Sequence, residues 1–357
     1  MKRVVLVGLG LVALMAAAAA LVTLADAGAF RTIEPHGFDR CARVPVAGAE
    51  DLVFDADSGL VLLSSTDFRA LERGATAEGA ILAFDPAKAA APVVVAHDLS
   101  GAFHPHGLGL WRFDDGRRRL FVVNHPKRET STVESFDLEP GPALKHRRTV
   151  SSSRFVSMND VAPVGPEAFF VTLDAGTRAG TAARLAETFL RLPWAGVGFF
   201  DGATAEVAAT GLRYANGVAV TPDGATVFVT ETTGRRLLAF TRTGPGGALT
   251  LVAEHAAATG LDNLSLDPGG LLWVAAHPKM LDFLGHAADA AKRSPSQVLR
   301  ARYDAAARRF DVDEVGLDDG AALSGSSVAL PLGAGRALIG SVFEHVLDCR
   351  FGEGRAP

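Results

Sequence analysis

Residues 215–230 read ANGVAVTPDGATVFVT: a small polar opening at Asn216-Gly217, an apolar run to Val220, the turn Pro222-Asp223-Gly224, and a second apolar run over 226–230. Two short β-rich runs flanking a Pro/Asp/Gly turn form a β-hairpin. The same unit recurs along the chain. Its openings are Glu50-Asp51-Leu52-Val53, His106-Gly107-Leu108, Asn159-Asp160-Val161, Asp262-Asn263-Leu264 and Gly325-Ser326-Ser327-Val328, with partner strands at 60–64, 120–124, 168–172, 271–275 and 337–340. From 50, 106, 159, 216, 263 and 326 the steps are 56, 53, 57, 47 and 63 residues, a repeat of about fifty. Units of that size are the four-stranded blades of a propeller, whose innermost strands line a central channel. The reading is therefore all-β: one six-bladed β-propeller over residues 41–349, with the opening residues of distant repeats converging at one end of the channel.

Two stretches break the β pattern and predict short inserted helices. Residues 181–192 set Ala182, Leu185, Ala186, Phe189 and Leu190 on one side and Arg184, Glu187 and Arg191 on the other, before Pro193; residues 280–292 are similar, before Pro295. They are expected to pack their apolar sides over the end of the propeller, the alternative being an apolar rim that admits hydrophobic substrates or touches a bilayer. At the N-terminus, Lys2 and Arg3 precede an uncharged apolar run of 21 residues from 4 to 24, about 31 Å as a helix. Residues 1–29 thus read as an export segment, either a signal peptide with small residues for cleavage around Ala27 and Ala29 or an uncleaved membrane anchor. Everything after Asp26 is then periplasmic or extracellular.

Thirty-five basic against 40 acidic side chains give a formal net charge of −5 with no basic run, so nucleic acid is excluded as a partner. Two cysteines, Cys41 and Cys349, rule out a cysteine-based zinc site and a redox CxxC pair. They stand at the two ends of the repeat region. A bond between them would lock the first blade to the last in an oxidising compartment, the alternative being two buried free thiols.

The converging openings supply a carboxylate (Glu50), two amides (Asn159 and Asn216) and an Asp-Asn pair (Asp262 and Asn263). Hard oxygen donors with two formal negative charges suit calcium; zinc asks for His or Cys, and magnesium for a stricter octahedron. Asp51 and Asp160 follow Glu50 and Asn159 by one residue. Neighbours on a regular strand face opposite ways, so these two cannot share the first site without a bend, but could hold a second ion beneath it. His106, in Pro105-His106-Gly107, and His125, in Asn124-His125-Pro126, fall in one hairpin beside the proposed ion. Such a pair suits general-base activation of water, the alternative being two structural histidines. His277 is a lesser candidate for the pocket wall. No GxSxG, HExxH or GxxxxGK[ST] signature competes.

These residues resemble the serum paraoxonase/arylesterase family, calcium-dependent lactonases on a six-bladed propeller. The resemblance rests on Gly48-Ala49-Glu50-Asp51-Leu52, Pro105-His106-Gly107, Val122-Val123-Asn124-His125-Pro126, Met158-Asn159-Asp160-Val161, Ala215-Asn216-Gly217, Asp262-Asn263, His277-Pro278 and Ile339-Gly340-Ser341-Val342-Phe343. It implies two calcium ions: a catalytic one on Glu50, Asn159, Asn216, Asp262 and Asn263, and a structural one on Asp51, Asp160 and the backbone carbonyl of Leu108. It also implies a catalytic dyad of His106 and His125 and a disulfide between Cys41 and Cys349. The expected substrates are hydrophobic lactones and aryl esters. Two rival readings are a sugar lactonase of the gluconolactonase type and a non-catalytic, calcium-stabilised binding module, since a propeller alone does not specify chemistry.

Overall fold

The computed structural model describes residues 2–88, 90–127, 129–244 and 246–352, the side chains of residues 2–10, 12 and 16 excepted. Six blades follow one another, antiparallel except where Ala96–His97 pairs parallel with Ala143–Val150 in the second, and their innermost strands are Ala49–Asp55, Pro105–Arg112, Met158–Pro163, Ala215–Val220, Gly260–Leu266 and Ser326–Gly333. Every opening residue lies on, or immediately beside, the start of one of these strands. Six hydrophobic clusters hold the ring, and each is shared by two neighbouring blades. Val197 and Phe199 of blade 3 meet Val227 and Leu238 of blade 4, and the last cluster joins Val328 and Leu338 of blade 6 to Leu52 and Val61 of blade 1.

The ring closes by strand donation. Cys41–Val44 is the outer strand of blade 6, antiparallel to Val346–Arg350, with Cys41 opposite Cys349. The disulfide forms between these register partners, 308 positions apart in sequence. The bond therefore staples a strand from the start of the chain into the last blade. A single bridge, Ala49 to Ser341, and the Ser327 hydroxyl donating to the Glu50 carbonyl at 2.6 Å, complete the seam on the channel side.

Each inner strand departs from regular pairing at the same height. The register with the second strand shifts at Ala49/Leu52, Pro105/Leu108, Met158/Val161, Ala215/Val218, Leu261/Leu264 and Ser326/Val328. A bulge frees backbone groups that must be satisfied elsewhere. Ser and Thr on the second strands do this. Ser64 Oγ accepts from Asp51 N at 3.0 Å, Thr172 Oγ1 from Asp160 N at 2.9 Å, and Thr230 Oγ1 from Gly217 N at 2.8 Å. Thr172 and Thr230 then donate onward to the carbonyls of Asn216 and Asp262 in the next blade. This is the bend that two consecutive polar residues need in order to share the channel.

Among the described residues four helices accompany the blades: α1 (Lys2–Asp26), α2 (Phe68–Glu72), α3 (Ala182–Phe189) and α4 (Met280–Ala288). Among the described residues no helix is long and apolar enough to cross a membrane. Both predicted inserts are helical but shorter than expected, and α2 carries no helical period to reveal it. The packing of α3 reverses the expectation. Leu185, Phe189 and Leu190 are exposed, whereas Glu187 is buried and accepts from the backbone N–H groups of Gly176 (2.8 Å) and Thr177 (3.1 Å). A carboxylate that satisfies a loop's orphan donors outweighs the apolar face, which stays in solvent.

Candidate functional site

The bulges aim the opening residues at one end of the channel, where a cavity of about 290 Å³ opens. Its floor is Glu50, His106, Asn159, Asn216 and Asp262, from five different blades. Asn263 reaches the same floor, its Nδ2 donating to Glu50 Oε1 at 2.7 Å. All five proposed ligands of the upper ion are at most 5% exposed.

Four of their oxygens have no hydrogen-bond partner among the described residues: Glu50 Oε2, Asn159 Oδ1, Asn216 Oδ1 and Asn263 Oδ1. An orphaned buried acceptor costs about 1–3 kcal/mol, so four on one floor form a donor set that calls for a cation. Their nitrogens are occupied elsewhere where a bond is seen: Asn216 Nδ2 donates to Thr232 Oγ1 at 3.0 Å, as Asn263 Nδ2 does to Glu50. That turns the amide oxygens inward. All-oxygen, amide-rich coordination fits calcium. Because amides outnumber carboxylates, no group of three His, Cys, Asp or Glu placed for a metal occurs among the described residues.

Asp51 and Asp160, one residue beyond Glu50 and Asn159, are both buried. Asp51 accepts from Leu52 N (2.8 Å) and Leu108 N (2.7 Å), and Asp160 from Val161 N (2.7 Å) and Val218 N (2.8 Å). Each thus ties its own blade to the next one. Gly107 is required here, since a Cβ would stand 2.5 Å from the Asp160 Cα and 2.8 Å from its Oδ1. Without a cation the cluster resists ionisation. Burial, then repulsion from Asp51, Asp262 and Asp160, push Glu50 well above the carboxylate range; burial pushes Asp51 up to about 7; burial and Asp51 push Asp160 well up. A divalent ion is the natural counter-charge.

His106 Nδ1 donates to the Asn159 carbonyl at 3.1 Å and lies 3.1 Å from Glu50 Oε2 without hydrogen-bond alignment. This fixes the tautomer and leaves Nε2 as an acceptor. His125 meets His106 edge-to-face, ring centroids 5.0 Å apart. No hydrogen bond joins the two rings among the described residues, so the Asn159 carbonyl orients His106, and His125 lies outside the cavity lining. Burial lowers the basicity of His106, and burial plus the neighbouring His106 and His104 bring His125 to about 3. Both rings are neutral at pH 7. His277 Nε2 bonds Asp262 Oδ2 at 2.6 Å, and its ring stacks on Phe283 at 4.1 Å.

The walls are Phe68 of α2, Met280, Phe283 and Leu284 of α4, and Val342 and Phe343 in the connection between the second and third strands of blade 6. Tyr214 and Thr232 also line the cavity, and sequence reasoning missed them. For Tyr214 a signal existed: it stands two residues before an opening Asn, where the bulge begins.

Comparison with known proteins follows the same outline. The sequence model of the family described as Arylesterase matches residues 85–351. Serum paraoxonase/arylesterase 1 of Mus musculus is 31% identical over 341 residues, covering 90% of this chain and 91% of the relative. Serum paraoxonase/lactonase 3 of Oryctolagus cuniculus is 32% identical over 250 residues, covering 70% and 69%. Among solved structures, the calcium-binding protein regucalcin of Agrobacterium tumefaciens superposes with a TM-score of 0.53 at 15% identity over 90% of this chain and 96% of that one, a likeness of fold.

Proposed function

The chain belongs to the arylesterase family, and from that premise we propose that it hydrolyses hydrophobic lactones and aryl esters at the cavity described above. The observation that carries the reading is the set of four unpartnered oxygens on Glu50, Asn159, Asn216 and Asn263 beside a neutral imidazole. Glu50, Asn159, Asn216, Asp262 and Asn263 would hold the catalytic calcium, and Asp51, Asp160 and the Leu108 carbonyl a structural one. When bound, the catalytic ion supplies electrophilic polarisation of the substrate carbonyl oxygen.

The protein's own groups do the rest. His106 Nε2 takes the proton of the attacking water, its Nδ1–H held by the Asn159 carbonyl. His125 buttresses the ring at its edge, and Phe68 packs against His106 from another side, centroids 5.7 Å apart. The Asp262–His277 bond holds the carboxylate in place, and Phe283 covers that pair from solvent. The apolar walls favour a hydrophobic acyl or aryl group over a sugar.

Residues 1–29 are assigned to export and residues 41–349 to the catalytic unit. The disulfide supports an oxidising, periplasmic or extracellular location, and the apolar leader is the support for membrane attachment. Turnover of phenyl acetate, acyl lactones and gluconolactone, with and without chelator, tests the reading. Chelator-sensitive hydrolysis of the hydrophobic members is the expected result. Preference for gluconolactone would favour the sugar-lactonase reading, and a folded protein inert on every ester would favour a binding module.

A further inference from the structure

A second cavity, of about 350 Å³, lies against the first and is lined by Arg191, Arg213 and Arg235 with Asp26, Leu190 and Gly234; Thr233 lines both. Three chain segments each serve both cavities. Thr188 faces the first and Arg191 the second, Tyr214 the first and Arg213 the second, Thr232 the first and Arg235 the second. The two spaces therefore adjoin at Thr233. Arg191, Tyr214 and Arg235 are also three of the five non-glycine residues with positive φ among the described residues, at 52°, 58° and 53°. Backbone strain of this kind persists where the surroundings impose it, and it clusters at binding sites.

The charge is unbalanced. Asp26 is the only acid in the lining among the described residues and bonds both Arg191 and Arg235, the latter at 2.6 Å. Arg213 donates through Nε to the Arg191 carbonyl at 3.0 Å, and no bond from its terminal nitrogens is seen among the described residues. Glu231 nearby is paired with Arg236 and accepts from the Arg213 backbone N–H. Three guanidinium groups thus face one carboxylate around this cavity. Guanidinium forks match carboxylates in geometry and charge, and Asp26 already shows a carboxylate seated between two of them.

We infer that this cavity is an anion subsite for the far end of the substrate, so that the enzyme accepts esters and lactones bearing a remote carboxylate. The inference rests on the hydrolase reading above and deepens it. Phenyl hydrogen glutarate and phenyl pentanoate have acyl chains of equal length and differ in a terminal carboxylate, so the ratio of their kcat/KM values reports the subsite alone. In the full-length chain, Arg213→Ala should lower that ratio about tenfold and leave phenyl pentanoate turnover unchanged, and 0.5 M salt should shrink the wild-type ratio. A ratio unmoved by both overturns the inference. Calorimetric titration with glutarate reads the subsite without turnover: heat present in the wild type and lost in Arg213→Ala supports it, and equal or absent heat in both refutes it. Loss of turnover on both esters in the wild type, with glutarate still bound, would instead count against the hydrolase reading.

Discussion

Removing the metal should leave a protein whose stability falls as pH rises, the reverse of ordinary acid denaturation. Without a cation, Asp51 titrates at about 7 in the folded chain because it is buried, against an ordinary value of 3.8. The folded state therefore binds more protons than the unfolded one between pH 4 and 7, and stability declines across that window and levels off above it. The difference corresponds to about 4 kcal/mol, or about 8 °C in melting temperature at about 2 °C per kcal/mol for a long chain. Asp160 and Glu50 are raised as well and act in the same direction. Calcium at about a thousand times its dissociation constant contributes a stabilisation of similar size, about 4 kcal/mol. Melting at pH 5.0 and pH 7.5, in chelator and in excess calcium, tests the argument. The chelated protein should melt lower at pH 7.5 than at pH 5.0, with calcium restoring the loss, and Asp51→Asn should flatten the chelated profile and blunt the calcium gain. Coincident melting curves in chelator and calcium at pH 7.5 would refute the cation cage, and stability rising with pH in chelator would refute the electrostatics behind it.

His106→Gln should lower lactonase and arylesterase kcat by about 10²–10⁴ with calcium affinity retained, as measured by steady-state kinetics and calcium titration; unchanged turnover would remove the ring from the mechanism. Since burial depresses the basicity of His106, wild-type kcat/KM should hold level through pH 7 and fall only on the acid side of ordinary histidine titration. Cys41→Ser should lower the urea midpoint, with up to about 5–6 kcal/mol at stake on the chain-entropy estimate for a closed loop of this length. An unchanged midpoint would mean that the donated strand holds blade 6 without its staple.

The blade count was legible because one local event, a polar opening followed by a hairpin, repeats in the text. The second strands expected at 60–64, 226–230 and 271–275 appear as Leu60–Ser65, Thr226–Glu231 and Leu271–His277. The mode of closure was less legible. Cys41–Val44 is a four-residue edge strand with two exposed positions, too short to carry a period of two, and its partner is decided by the ring. The reversed packing of α3 was hidden for another reason. A helical wheel ranks faces by hydrophobicity, whereas Glu187 is drawn inward by two backbone donors and the Thr177 hydroxyl, a demand set by a loop ten residues away.

The two cavities differ in legibility for one physical reason. The first is built at strand starts, where each blade repeats the same bulge and, in three blades, Ser64, Thr172 or Thr230 of the second strand absorbs a freed backbone group. Polar residues placed there recur with the blade period, and in Asn216 and Asn263 the amide nitrogen finds a partner inside the ring while the oxygen is left unpaired among the described residues. The second cavity is built where strands and helices end, at Arg191 after α3, Arg213 before blade 4 and Arg235 in a turn of that blade. None of those positions recurs with the blade period, and each arginine alone reads as a solvated surface charge. Only the ring brings them together beside Asp26, so a site encoded once per blade is visible in the sequence and a site encoded across connections is visible only in the fold.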